Sequence, residues 1–158
     1  MPKLVLGPLL RYVGETQATV WVETDAAAEV GVLGHRAPTF QVDGHHYALV
    51  LIEGLERGRD YEYTVELNGR PVWPEPGSAF PPGRIRTLDP SGDEGPLRVA
   101  FGSCRVAAPH EPPWTLPPSV DRRRGKGSDA LYAFALRMRQ ADPGTWPHLL
   151  MLLGDQIY

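Results

Sequence analysis

Two short stretches carry the residues with the most chemistry to offer. Gly102-Ser103-Cys104-Arg105 follows the apolar run Leu97-Arg98-Val99-Ala100-Phe101. Gly154-Asp155-Gln156-Ile157-Tyr158 follows His148-Leu149-Leu150-Met151-Leu152-Leu153. Each time an apolar run leads to a glycine and then to polar side chains. A glycine there lets the backbone turn sharply or approach a ligand closely. A thiolate beside a carboxylate is a metal-ligating pair. The carboxylate alone suits hard cations, and the thiolate shifts the preference to iron or zinc over magnesium. A carboxylate that bridges two cations about 4 Å apart serves phosphoryl chemistry. Taken singly, a cysteine after a strand reads as a small buried hydrophobe, and an aspartate there as a turn or cap residue. The pairing is what raises both. Cys104 is the single cysteine of the chain, so no internal disulfide forms, which fits a reducing compartment.

Both stretches need strands to bring them together. In open α/β sheets, ligands bind outside the carboxyl ends of the strands. The Leu97–Phe101 run reads as one strand. The His148–Leu153 run has no alternation, which predicts a parallel strand buried on both faces. Between them, Ala107 to Gly127 is a long loop with five prolines among residues 109–118, followed inside it by Arg122-Arg123-Arg124-Gly125-Lys126. Ser128 or Asp129 then opens a helix. Leu131, Phe134, Ala135 and Met138 fall at i, i+3, i+4 and i+7, one amphipathic face, and Asp142-Pro143-Gly144 stops it. Strand, helix and strand make a βαβ unit with a right-handed crossover. If the strands are neighbours, Cys104 and Asp155 meet at one rim. A unit of about 60 residues cannot cover both its faces, so residues 97–158 are expected to be the incomplete start of a domain.

Ahead of this lies a region of different character. With 17 Gly and 17 Pro in 158 residues, the chain favours short elements and many turns over a helical bundle. Ala18–Thr24, Ala28–Leu33, Thr39–Asp43, Tyr47–Ile52, Tyr61–Leu67, Arg70–Trp73 and Gly83–Leu88 read as strands. In Tyr61–Leu67, Tyr61, Tyr63, Val65 and Leu67 alternate with polar residues, and Asn68-Gly69 is a hairpin signal. The pattern suggests a β-sandwich over residues 1–88. Residues 89–96 are turn-rich and read as a linker, and 97–158 form the second part.

Gly54-Leu55-Glu56-Arg57-Gly58-Arg59-Asp60-Tyr61-Glu62-Tyr63 resembles the approach to the sixth strand of fibronectin type III modules. There a Leu precedes by six residues a Tyr whose hydroxyl caps the preceding loop, and Tyr61 takes that place. Phe101-Gly102-Ser103-Cys104-Arg105 and Leu153-Gly154-Asp155-Gln156-Ile157-Tyr158, in this order behind a small β-sandwich, resemble the alkaline phosphatase D family of metallophosphoesterases. The likeness covers the front of that family's proteins. It implies Cys104 as an iron ligand, Asp155 as the carboxylate bridging iron to calcium, and Tyr158 as a phenolate ligand to iron. It implies more weakly that Arg105 meets the phosphate. The family's later Asn, His and acidic ligands and its twin-arginine export signal have no counterpart here. The expected fold is therefore a fibronectin-III-like sandwich followed by the βαβ start of an α/β metallophosphoesterase domain. The expected substrate is a phosphate mono- or diester, with little turnover from this chain alone. The competing expectation is a non-catalytic fibronectin-III-like binding or interface module.

Charge narrows the partners. Residues 1–96 hold 8 basic and 14 acidic residues, net −6, while residues 97–158 hold 8 and 5, net +3. Basic residues are not interleaved with aromatics, so nucleic-acid binding is not expected. No apolar run nears the roughly 20 residues that span a bilayer. The first residues lack the apolar core of a signal peptide, so the expected location is cytoplasmic. His45-His46 is a poor metal pair, because adjacent strand residues face opposite sides. Arg122–Lys126 reads as a solvated loop, the proline-rich stretch as a wrapped loop near a site, and the Tyr61/Tyr63 stripe as core.

Overall fold

The computed structural model describes residues 1–91 and 96–155. The chain divides into two compact units, Met1–Glu94 and Gly95–Tyr158.

The first unit is all β among its described residues. Its strands are β1 (Leu4–Val13), β2 (Ala18–Thr24), β3 (Glu29–Val32), β4 (His35–Pro38), β5 (Phe40–Val42), β6 (His45–Ile52), β7 (Asp60–Tyr63), β8 (Val65–Leu67), β9 (Arg70–Trp73) and β10 (Gly83–Arg86). They form a four-stranded sheet β1-β2-β6-β5, a second sheet β4-β3-β8-β9 and a β7-β10 pair. Every pairing is antiparallel. The core takes Val20 and Val22 from β2, Ala48, Val50 and Ile52 from β6, and Val30 and Val32 from β3. Val65 and Leu67 from β8, Ile85 from β10, and Ala18, Ala28 and Tyr63 complete it. This is the expected sandwich pattern: one face of each sheet dry, the other wet. On β2 the valine face is core and Trp21 points outward.

The Tyr61–Leu67 stretch departs from the single strand that its alternation suggests. It breaks at Thr64, so that β7 pairs with β10 and β8 with β3 and β9. The alternation survives the break: Tyr63, Val65 and Leu67 are all buried. A strand that leaves one sheet for the other keeps its apolar side on the shared core. Asn68 and Gly69 both take positive φ (51° and 76°), the hairpin turn their types demand. Two strands carry no readable pattern. β1 contains Gly7-Pro8 and shifts register along β2, and β4 is His-Arg-Ala-Pro. Both lie at sheet edges, where a proline costs no ladder bond.

The loop before β7 is pinned twice. The Tyr61 hydroxyl accepts from Glu56 N at 2.8 Å, as the fibronectin resemblance implies. Thr87, fully buried, donates to Glu56 O at 2.6 Å and accepts from Arg59 N at 2.9 Å.

The second unit contains β11 (Val99–Gly102), α1 (Ala130–Gln140), a single 3₁₀ turn Pro143–Thr145 and β12 (Leu149–Leu152). β11 and β12 are parallel, with Val99 opposite Leu149 and Gly102 opposite Leu152. The Asp129 side chain caps α1 by accepting from Leu131 N and Tyr132 N. Leu131, Phe134, Ala135 and Met138 are its half-buried residues together with Leu136, so the expected face is the packed one. The expectation of a β12 buried on both faces is corrected. Leu149, Leu150, Met151 and Leu152 are 43–47% exposed, and Phe101 is 72% exposed. The physical reason is that the described sheet has two strands, and α1 has no fully buried residue. No helix is long and apolar enough to cross a membrane among the described residues.

Candidate functional site

Strand pairing alone brings the two motifs together. Beyond Gly102 and Leu152 the ladder runs on: Leu153 N donates to Gly102 O at 2.9 Å and Cys104 N to Gly154 O at 3.2 Å. The chain then turns away on both strands through left-handed residues. Cys104 has φ of 59° and Asp155 of 48°. For non-glycine residues this region is sparsely populated and costs on the order of 1 kcal/mol or more, and such positions gather at functional sites. The result is a short polar rim. The Cys104 thiol donates to Asp155 Oδ2 at 3.7 Å. Ser103 Oγ lies 3.3 Å from Cys104 Sγ and donates to Gly154 O at 3.3 Å. Cys104 is exposed. The thiol and the carboxylate that sequence spacing places at one rim are thus within reach of a single ion.

Arg105 points elsewhere. Its Nε lies 3.1 Å and 3.2 Å from the two Asp129 oxygens, and Nη2 lies 2.7 Å from Oδ2. The fork matches the carboxylate in the bidentate manner particular to arginine. The Asp129 side chain is 4% exposed and that of Arg105 33% exposed. The Arg105 hydrogen bonds hold the Asp129 carboxyl below the usual carboxylate range, helped by the Tyr132 and Leu131 N–H groups. In return Asp129 raises the Arg105 guanidinium further above its already high value. The side chain next to the cysteine is therefore a brace from the Cys104 turn to the start of α1. Sequence reasoning assigned Asp129 to the cap alone and missed this second duty. Its partner is 24 residues away in sequence, and nothing local signals it.

Tyr158 lies outside the described residues. Among the described residues no group of three or more His, Cys, Asp or Glu side chains is placed to hold a metal ion. The donor set that is present, one thiol and one carboxylate, is of a kind that suits iron or zinc better than magnesium. His45 and His46 form no such pair; His45 Nδ1 lies 2.7 Å from Glu23 Oε1. The basic run folds around Asp121, which accepts from Arg123 N and Arg124 N and pairs with Arg124 at 3.4 Å.

The first unit gives the comparison with known proteins its substance. No curated protein and no solved structure matches the chain. Residues 1–85 match one family model, described as a domain of unknown function, DUF7800. The matched residues run from the N-terminus into β10 and stop short of the Cys104–Asp155 rim. They are more than half of the 158 residues, and the chain belongs to the DUF7800 family.

Proposed function

We propose that residues 97–158 carry the leading part of a two-metal phosphoesterase centre of the alkaline phosphatase D type, acting on phosphate mono- or diesters. The observation that carries this reading is the 3.7 Å approach of the Cys104 thiol to Asp155 Oδ2 on adjacent parallel strand ends. In this reading Cys104 and Asp155 would hold iron, Asp155 would be shared with a second cation of the calcium type, and Tyr158 would add a phenolate. When bound, the metals supply an activated hydroxide and neutralise charge on the phosphoryl group. The residues of this chain contribute position. The strand ladder sets the spacing of sulfur and carboxylate, Ser103 Oγ solvates the sulfur, and the Arg105–Asp129 brace holds the turn that presents Cys104.

Titrating iron into the chain tests the proposal. The expected result is one bound ferric ion with a sulfur-to-iron charge-transfer band, lost in Cys104→Ala and weakened in Asp155→Asn. Iron that is not retained, or is retained equally by Cys104→Ala, would sink it. With iron and calcium present, turnover of an aryl phosphate or an aryl phosphodiester is expected near background, because Cys104, Asp155 and Tyr158 do not complete a two-metal catalytic shell.

A second reading has its own support. The outward face of the β1-β2-β6-β5 sheet is apolar and exposed, which suits a non-catalytic binding or interface module. Limited proteolysis that leaves a stable fragment ending near residue 90, with no metal retained by the full chain, favours it.

A further inference from the structure

The face of the β1-β2-β6-β5 sheet turned away from the core carries mostly apolar side chains. Its residues sit on the alternate positions to Val20, Val22, Val50 and Ile52. Across the strands Leu9 opposes Trp21, Trp21 opposes Leu49, Thr19 opposes Leu51 and Phe40 opposes Tyr47. Leu6, Leu9, Tyr12, Phe40, Leu49 and Leu51 are each 42–56% exposed. Trp21 and Tyr47 stack at 5.7 Å and 26° across the middle. The one carboxylate within the face, Glu23, is buried and held by His45 Nδ1 at 2.7 Å.

The area is too large for scattered surface residues. Half-exposed side chains of this size present on the order of 100 Å² each. Six of them, with Trp21 and Tyr47, approach the roughly 800 Å² per partner of a stable interface. The largest apolar patch on a monomeric protein is about 300–600 Å².

We propose that this face is the interface of a homodimer, with a second copy of the chain laid face to face on it. Four considerations select that occupant. A twofold contact requires a surface complementary to itself, and a sheet face made mainly of apolar side chains, with its one strand carboxylate, Glu23, already paired to His45, meets that condition. Two such faces stack about 10 Å apart, as the two layers of a sandwich do. An anionic membrane surface is repelled by the net −6 of residues 1–96. A charged partner finds little to pair with beyond Arg11 at the edge of β1, because ion pairs such as Arg36–Glu29 and Arg84–Glu62 lie on the other strands.

Sedimentation equilibrium of the full chain tests the proposal. The wild type is expected to be a dimer that tightens as salt rises, because salt screens the like net charges while apolar contact persists. Leu49→Lys and Leu9→Lys change exposed side chains outside the core, and cooperative melting with a wild-type β circular-dichroism spectrum would confirm that both fold. Each is expected to raise the dissociation constant at least ~10-fold. Phe101→Ser, on the exposed β11, is expected to leave it unchanged. A wild type that stays monomeric at ~100 µM, well above the dissociation constants of stable dimers, would overturn the proposal. So would a dimer that survives both lysines, one that Phe101→Ser dissolves, or an assembly larger than a dimer.

Discussion

Asp129 shows how much one side chain can hold. Its carboxylate accepts the first free N–H groups of α1 and grips both Nε and Nη2 of Arg105. Asparagine caps a helix as well as aspartate does, so Asp129→Asn isolates the ion pair. The predicted cost at neutral pH is about 1 kcal/mol, kept small by the solvent that reaches Arg105. The pH dependence has a definite sign. Folding lowers the Asp129 pKa, so its contribution is present above the unfolded carboxylate value of about 3.9 and fades as pH falls through the folded one. Urea unfolding of the two proteins at pH 7 and pH 3 should show the gap closing in acid. A gap that widens would contradict the assignment. Thr87 makes a parallel case in the first unit. Thr87→Val keeps the shape but removes the hydroxyl that Glu56 O and Arg59 N share at a part-buried site, with a predicted loss of about 1 kcal/mol in denaturant unfolding. Tyr61 was legible in the sequence because its Leu and its loop lie within six residues. Thr87 was not, since its partners stand 28 and 31 residues away.

Among the elements, the strands easiest to read were those with one dry face. β8 alternates apolar and polar residues, while β2 and β6 alternate in burial only, their outward positions carrying Trp21, Leu49 and Leu51. β1 and β4 escaped notice because edge strands tolerate Pro and Gly and need no apolar rhythm. The split between β7 and β8 was invisible for the opposite reason: the rhythm runs through it undisturbed. Close packing between elements also leaves little trace. Gly83 opens β10, and a Cβ built there would stand 2.6 Å from Trp73 Cη2 and 2.8 Å from Tyr63 Cζ. These rings belong to a packed pair with centroids 5.4 Å apart. Gly83→Ala is therefore predicted to destabilise the first unit by about 1–3 kcal/mol, through overpacking. A thermal melt checks this, and an unchanged or raised midpoint would show that the rings yield freely.

At the scale of the whole molecule, the change of grammar near residue 90 and the split in charge were both readable. So was the meeting of Cys104 with Asp155, because parallel pairing needs only two apolar runs that end alike. What the sequence overstated was burial. An apolar run signals a strand that would be stable when covered, and the described sheet of the second unit offers β11 and β12 without cover. The family match stops inside β10, so the most chemically suggestive part of the chain draws its interpretation from geometry and resemblance.

The rim depends on one ladder, in which Gly102 lies opposite Leu152 and the next bonds hold Cys104 to Gly154. Adding or deleting a residue within either run would slide the sulfur past the carboxylate and reverse which way it points. The long loop between residues 107 and 127 has no such constraint. Length variation among natural homologues should therefore collect in that loop and be absent from the two runs.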